Sequence, residues 1–372
     1  MDQTKTGKTK GKPRILLAPL DWGLGHATRC IPVIRELLGQ DCEVWLAAEG
    51  PQEKLLKEEF PLLPVLPLPG YRIKYARSAM GLLWQMLVQY PKFLQIIRKE
   101  NVWLKQVVKE YAFDAVISDN RFGLYHEKTP SIFITHQLNI KSPFGKWSES
   151  ILQKMNYRYI NRYTTCWVPD EEGTTNLAGE LSHPGKLPAI PVNYIGCLSR
   201  FSHLAIEEKK DHLLFLLSGP EPQRTIFENK IIAEVAHYNG TATIVRGLPG
   251  TPSLIPSTNM IRFYNHLSAE ELNKEMLKAA FIISRSGYST VMDIATLQKK
   301  SVLIPTPGQT EQEYLSKYLS EKKLAFAVAQ HRFFLAPVLQ GVKQFSFQSF
   351  PSLQSNSLKE IIAAFIRSLR VQ

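Results

Sequence analysis

The sequence predicts an α/β protein made of two doubly wound parallel sheets that follow one another along the chain. Apolar runs of strand length alternate with segments of helical spacing, which is typical of parallel strands covered by helices on both faces. The alternation stops in a stretch rich in glycine, proline, asparagine and serine, Gly173–Gly196, and then restarts. The chain has 372 residues, which is enough for two domains of ordinary size.

In the first half, short apolar runs predict strands, and apolar residues at helical spacing predict helices. The predicted strands are Arg14–Pro19, Cys42–Ala48, Ala115–Ser118, Ser131–Thr135 and Cys166–Pro169. The predicted helices are His26–Gly39, Gln52–Glu59 and two helical stretches within Met80–Glu110. We assign Pro61–Gly70, which is rich in proline, to a loop.

The second half repeats the pattern. The predicted strands are Leu213–Leu217, Ala242–Arg246, Met260–Phe263, Phe281–Ser284 and Ser301–Pro305. Five helices are predicted. One ends near Tyr238, one runs from Ser268 to Ala279 and one starts near Thr290, and the last two cover Gln312–Lys322 and Leu358–Leu369. Ser268 and Glu271 have the spacing of a capping box. We expect a disordered basic tail over residues 1–13, an N-terminal domain over 14–197 and a C-terminal domain over 198–372.

The net charge of +12 suits nucleic acid, an anionic membrane surface or phosphate-bearing ligands. Because the charges are scattered rather than arranged in a nucleic-acid-binding motif, we do not expect nucleic acid as a partner. The leader lacks a secretory apolar core, and no stretch reaches the roughly 20 apolar residues of a membrane span. We therefore expect a cytoplasmic protein. The basic segment Tyr71–Arg77 and the apolar stretch after it can lie on the inner face of the membrane, or pack as an ordinary helix.

A glycine-rich turn joins the first predicted strand to the first helix, with Gly23 and Gly25 just before His26. Such a turn lets a ligand approach free backbone N–H groups at the positive end of a helix. It also fits the start of a dinucleotide site, although Thr28 stands where the third glycine belongs. His26 can accept a proton from an attacking hydroxyl, or it can simply hydrogen-bond the turn.

A second helix start follows the strand Phe281–Ser284 and is the most informative segment. Small side chains, hydroxyls and N–H groups at the positive end of a helix suit a diphosphate. Asp293, one turn later, can accept hydrogen bonds from both ribose hydroxyls, or it can form a capping box with Thr290. The residues assigned to the diphosphate are Arg285, Ser286, Gly287, Ser289 and Thr290, with a structural ion pair as the alternative for the arginine.

A tight loop with two prolines and a glycine follows the strand Ser301–Pro305 and leads into another helix. Its amides and acids, Gln309, Gln312 and Glu313, suit the hydroxyls of a sugar. Glu313 also has the capping-box spacing to Thr310.

Together, the Gly-x-Gly-His turn, the segment Ser286–Asp293 and the loop rich in Gln and Glu resemble the GT-B glycosyltransferases. The branch they resemble contains the lipid-linked peptidoglycan N-acetylglucosaminyltransferase. The resemblance implies two Rossmann-like domains facing a cleft, with a last helix that crosses back to the first domain. It implies inverting transfer from a nucleoside-diphosphate sugar, with UDP as the expected nucleotide. The acceptor is a hydroxyl, for which a lipid-linked molecule is one candidate.

The same resemblance assigns roles to individual residues. Asp293 holds the donor ribose, where many relatives have Glu, and His26 is the histidine of the N-terminal turn. Gln312 and Glu313 contact the donor sugar, and the second of these departs from the family's Gln pair, which leaves the sugar open. Further positions that correspond to donor-facing loops are Ser218, Gly219, Arg224 and Asn265.

Asp119 and His136 each follow a predicted buried strand and should reach the same edge of the first sheet. Either residue can assist deprotonation of the acceptor or play an orienting role. Because the sequence has no D-x-D motif, we expect neither a metal nor a further cofactor, and helix ends would stabilise the leaving diphosphate. The alternatives are a nucleotide-sugar epimerase of the same architecture and a non-catalytic nucleotide or lipid binder.

Overall fold

The computed structural model describes residues 11–71, 79–351 and 357–371, with the backbone alone over 79–90 and at 371. Most of the predicted basic tail lies outside the described residues, and so does the predicted membrane-facing segment Tyr71–Arg77 apart from Tyr71. Within them, the chain forms two sheets in which every strand pairing is parallel. The two parallel-sheet α/β domains predicted from the sequence are therefore present.

The first sheet has seven strands in the order β3-β2-β1-β4-β5-β6-β7. These strands are β1 (Arg14–Pro19), β2 (Glu43–Ala48), β3 (Val65–Pro67), β4 (Ala115–Asp119), β5 (Ser131–Ile134), β6 (Thr165–Val168) and β7 (Val192–Tyr194). The helices of this half are α1 (Leu24–Gly39), α2 (Gly50–Glu59), α3 (Ala79–Tyr111) and α4 (Lys146–Ile160). The strand order reverses between β1 and β4, which is where such sheets open a crevice for ligands.

The second sheet has six strands in the order β10-β9-β8-β11-β12-β13. These strands are β8 (Lys209–Leu216), β9 (Thr241–Val245), β10 (Ile261–Tyr264), β11 (Ala279–Ser284), β12 (Ser301–Leu303) and β13 (Phe326–Ala327). The helices are α5 (Gln223–Val235), α6 (Ala269–Lys278), α7 (Tyr288–Thr296), α8 (Thr310–Glu321), α9 (Leu335–Gln344) and α10 (Ser357–Val371). The predicted capping box is present at the start of α6, where Ser268 and Glu271 bond each other's backbone N–H.

Several elements differ from the sequence-based prediction. The two helical stretches predicted within Met80–Glu110 form one helix, α3, with Pro91 inside it. The predicted loop Pro61–Gly70 contains β3, which is only three residues long. The elements β7, β13, α4 and α9 were not predicted. The two strands are only two or three residues long, and α4 exposes apolar residues that blur its helical pattern.

The two halves are packed on each other through α1, α7 and α10. In α10, the backbone carbonyl of Lys359 accepts a hydrogen bond from Gln40 at 3.1 Å. Phe365 of the same helix meets the ring of Trp167 edge to face, with centroids 5.5 Å apart. The last helix thus contacts the first half of the chain, as the family resemblance implies, and the carboxyl ends of β1, β4 and β11 lead into one interdomain region.

Candidate functional site

The starts of α1 and α7 face each other across the domain boundary. The Ser289 hydroxyl donates a hydrogen bond to the backbone carbonyl of Gly25 at 2.9 Å. A Cβ added at Gly25 would lie 3.0 Å from the Ser289 oxygen, so a larger residue here would force the Ser289 side chain to shift. Two of the predicted donor-binding segments are therefore brought together.

Both helix starts keep open space at their N-cap glycines, Gly23 and Gly287. A Cβ at either position would meet no atom within 4 Å. Neither helix has a side-chain cap or an acidic residue in its first turn. Uncapped N–H groups at a positive helix end are able to bind an anion, and the sequence predicts a diphosphate at the start of α7.

His26 and Asp119 form a hydrogen-bonded pair at the start of α1. The Nδ1 atom of His26 lies 3.0 Å from the Asp119 carboxylate, which is fully buried at the end of β4. Arg29, one turn after His26, donates from Nε to both carboxylate oxygens at 3.0 and 2.9 Å. The carboxylate is thus held by a buried guanidinium while it orients the histidine.

The charges around this pair determine the protonation of His26. Burial acts to raise the pKa of Asp119, but Arg29 and His26 outweigh it and lower the value to about 2. Burial and the Arg29 charge lower the pKa of His26, against the opposing effect of Asp119. The Nδ1 atom also lies 2.9 Å from Nη2 of Arg29, which can only donate, whereas the Asp119 carboxylate can only accept. In the tautomer that donates from Nδ1 to Asp119, Nε2 of the neutral ring keeps a lone pair and can accept a proton.

His136 extends the cluster to the second domain. Its Nδ1 atom lies 3.1 Å from Arg29, and its Nε2 atom lies 2.8 Å from the carboxylate of Glu311, in the first turn of α8. The ring stacks on Tyr288 of α7, with centroids 4.3 Å apart and an interplanar angle of 14°. His136 therefore lies in the same cluster as His26, with Arg29 between them.

Asp293 lies inside α7, which begins at Tyr288, so Thr290 is not its cap and the capping-box alternative is wrong. Its carboxylate instead accepts a hydrogen bond from the Ser199 hydroxyl at 2.6 Å. Burial raises the pKa of Asp293 to about 7, against the opposing effects of Ser199 and Arg200. A carboxyl group near half-ionisation at neutral pH is unusual for a purely structural aspartate, and such groups often mark functional sites.

Comparisons with known proteins identify the class of enzyme and the fold. Residues 262–360 match the glycosyltransferase family 28 C-terminal domain. The UDP-N-acetylglucosamine--N-acetylmuramyl-(pentapeptide) pyrophosphoryl-undecaprenol N-acetylglucosamine transferase of Haemophilus ducreyi is 24% identical over 321 residues, covering 83% of each chain. The chain is a glycosyltransferase of the GT-B fold.

Solved structures agree with the fold. The glycotransferase of kitacinnamycin superposes with a TM-score of 0.65 at 12% identity, covering 97% of this chain and 96% of that one. MurG of Acinetobacter baumannii gives a TM-score of 0.53 at 14% identity, with 96% and 95% covered. The predicted resemblance to this branch of GT-B glycosyltransferases is thus confirmed.

Two arginines that the sequence assigned to the donor lie elsewhere in this glycosyltransferase. Arg285 is 1% exposed, and its guanidinium lies 4.3 Å from the centroid of the Phe227 ring and donates to three backbone carbonyls. Arg224 is buried and ion-paired with Glu221 and Glu228. Because both charges are neutralised or shielded inside the second domain, the geometry does not favour a phosphate contact for either side chain.

The predicted sugar-facing loop is shaped by its own residues. The side chain of Gln312 is buried and accepts from the backbone N–H of Thr306 at 2.9 Å, while Ser286 donates to the Gln312 carbonyl at 2.8 Å. Glu313 accepts from the Gly308 N–H at 2.9 Å and is exposed. The Thr310 hydroxyl donates to the backbone carbonyl of Lys141 across the boundary rather than capping α8. These bonds fix the loop's shape beside the start of α7.

Four further predicted positions lie in loops of the second domain. Ser218 and Gly219 are exposed after β8, and Gly219 has a φ of 101°. Asn265 holds the segment 247–253, since its amide donates to Thr251 and Ser253 carbonyls at 2.7 and 2.9 Å. Gln309 precedes α8 as its N-cap residue, without a side-chain cap bond. The role of Asn265 toward a base would therefore be to shape a loop.

Sequence reasoning missed Arg29, Glu311 and Ser199. Arg29 and Glu311 read as ordinary helix residues, and Ser199 lies in the segment between the sheets.

Within the ranges described, no three His, Cys, Asp or Glu side chains lie together as metal ligands. In the same ranges, no helix has the length and apolar character of a membrane span.

Proposed function

We propose that this glycosyltransferase moves a sugar from a UDP-sugar to an acceptor hydroxyl, with inversion and without a metal ion. The observation that carries the proposal is the His26–Asp119 pair at the start of α1, directly opposite the uncapped start of α7. A base and an anion-binding helix end that meet at the domain boundary are the two groups that direct displacement requires.

In this mechanism, Nε2 of His26 accepts the proton of the acceptor hydroxyl. The hydroxyl oxygen forms a bond to the anomeric carbon, and the bond from that carbon to the diphosphate oxygen breaks. The diphosphate leaves with the electron pair, and N–H groups at the start of α7 stabilise its charge. Asp119 stabilises the imidazolium that forms, because its carboxylate already accepts from Nδ1.

The donor is held from the second domain. The amides near Gly287 would bind the diphosphate, and Asp293 would accept hydrogen bonds from the ribose. The UDP assignment is supported by the relative from Haemophilus ducreyi, whose name contains a UDP-sugar donor. The sugar is left open, because Glu313 stands where the family has a second Gln.

An exposed face of α4 supports a lipid-linked acceptor at an anionic membrane surface. Trp147, Ile151 and Met155 repeat at helical spacing, and their exposed fractions are 67%, 48% and 37%. Lys154 and Arg158 lie exposed on the same helix. Apolar side chains that enter the interface, flanked by cations that meet anionic headgroups, are typical of helices that lie on a membrane.

The first test is donor turnover by the purified protein. UDP release from UDP-N-acetylglucosamine and UDP-glucose is measured with and without added lipid-linked acceptor, beside ADP-, GDP- and dTDP-sugars. His26→Asn should reduce turnover by about 100-fold or more, because it removes the base, while UDP binding stays near the wild-type value. The matched control is His237→Asn, which alters an exposed histidine. Unaltered turnover in His26→Asn contradicts the proposed base, and binding without turnover of any donor favours a non-catalytic binder.

A further inference from the structure

A row of charged and polar side chains runs from the proposed base across the domain boundary, and its far end has no role in the proposed function. Asp119 binds Arg29, Arg29 contacts His136, and His136 contacts Glu311. The first three residues belong to the first domain, whereas Glu311 belongs to α8 of the second. The row therefore connects the base to the position of the donor-binding domain.

The hydrogen bonds fix the direction of each proton in the row. The ionised Glu311 carboxylate can only accept and the Arg29 guanidinium can only donate, so Nε2 of His136 carries a proton and donates it to Glu311. The Nδ1 atom then has a lone pair and accepts from Arg29. Burial acts to raise the pKa of Glu311, but the hydrogen bond and charge of His136 outweigh it and lower the value, which keeps the carboxylate ionised.

The row is also held rigidly. Arg29 is 3% exposed and His136 is 4% exposed. Tyr288 covers one face of the His136 ring, and its hydroxyl donates to the Pro169 carbonyl at 2.9 Å. Because His136 can neither turn freely nor exchange its partners with water, a change at Glu311 reaches Arg29 through one ring.

We propose that Glu311 is a positioning residue for the base: docking of the second domain fixes His136 as an acceptor for Arg29, which holds the Asp119 carboxylate on His26. The inference rests on the proposed function. Without Glu311, the proton of His136 can move to Nδ1 and point at the Arg29 guanidinium. Arg29 would then shift, and the carboxylate that orients His26 would shift with it.

The charges that face His26 give this inference a pH signature. Arg29 lies on its own helix, Asp119 approaches from β4, and His136 follows β5, while Cys30 lies 3.7 Å from Asp119 as a neutral thiol. Glu311 contributes a negative charge from α8. Removing that charge disfavours protonated His26, so the pKa of His26 falls and the acidic limb of the rate profile moves to lower pH.

The experiment compares Glu311→Gln and Glu311→Leu in the full chain, with UDP release from UDP-N-acetylglucosamine measured between pH 5 and pH 9. Glu321→Gln, an exposed change on the same helix, is the control. Glu311→Gln keeps an acceptor for His136 but loses the charge, so its acidic limb should move down by about half a pH unit with a small change in rate. Glu311→Leu loses the acceptor, and its kcat should fall about 10- to 100-fold with KM for the donor within about twofold.

A merely structural role would lower the unfolding temperature of both variants without moving the acidic limb. The inference is overturned if Glu311→Leu turns over donor like the wild type and the Glu311→Gln limb coincides with that of the wild type. If Glu311→Leu does not fold, the test depends on Glu311→Gln alone, and an acidic limb of its pH–rate profile that coincides with that of the wild type overturns the inference. A wild-type protein that releases no UDP from any donor refutes the proposed function and this inference together, whereas active wild type with unaltered variants refutes only the inference.

Discussion

Replacing Asp293 with Asn should stabilise the free protein at neutral pH while weakening its binding of UDP. Burial raises the pKa of this carboxyl group from 3.8 to about 7. Between about pH 4 and pH 7, the Asp293 carboxyl group therefore keeps its proton in the folded state, whereas it has already lost that proton in the unfolded state. Stability contributed by the neutral carboxyl is complete below that window and is lost as the pH rises through it.

The magnitude follows from the shift. About three pKa units correspond to about 4 kcal/mol at 1.4 kcal/mol per unit. Solvent contact at the edge of this half-buried side chain reduces the effect, and we expect about 2 kcal/mol. Asn carries no charge at any pH, and its amide oxygen can still accept from Ser199. The free energy of unfolding of Asp293→Asn should thus equal that of the wild type near pH 4 and exceed it above pH 7.

Urea-induced unfolding between pH 4 and pH 8 measures this difference, with the exposed Asp211→Asn as control. The same samples titrated with UDP test the ribose contact. Asn offers one acceptor in place of a carboxylate, so the affinity for UDP should fall about tenfold. A difference between variant and wild type that is the same at pH 4 and pH 8 would refute the burial argument. An unaltered affinity for UDP would refute the ribose assignment.

Two further predictions concern residues whose roles the structure redefines. Arg285→Met should lower the free energy of unfolding by about 1–3 kcal/mol, because three buried carbonyls lose their donor, while UDP affinity stays within about twofold. A large loss of UDP affinity in an equally stable variant, measured beside the exposed Arg332→Met, would restore the phosphate role. The double change Trp147→Glu with Ile151→Glu should abolish sedimentation with vesicles of anionic phospholipid, whereas Leu62→Glu, at a position 95% exposed, should not. Equal sedimentation of the α4 variant and the wild type would exclude that face.

The parts of the site that the sequence could predict are those encoded by adjacent residues. A glycine turn before a helix and the segment Ser286–Asp293 carry their geometry locally, because helix starts leave N–H groups free wherever they occur. Their mutual approach across the boundary needed the fold. The contacts of Arg285 could not be predicted either. An arginine next to a helix start looks the same in sequence whether its guanidinium faces a phosphate or a buried ring such as Phe227.

The base's electrostatic surroundings could not be predicted, because their members are distant in sequence. Arg29 is one of two arginines in the amphipathic helix α1, and its contacts with Asp119 and His136 span 90 and 107 positions. Nothing in a local pattern distinguishes it from a solvated arginine. Glu311 likewise reads as a favourable acid in the first turn of α8, where helix dipoles attract negative charge regardless of function.

The charge balance of this cluster gives domain docking a chemical consequence. A permanent cation beside His26 opposes its protonation, and within the first domain Asp119 only cancels that cation. Glu311 adds one further negative charge from the second domain, beyond the His136 ring. Burial is the largest effect on His26 and lowers its pKa, and the Glu311 charge opposes part of that lowering. Contact between the second domain and His136 therefore helps His26 to remain a base despite its burial.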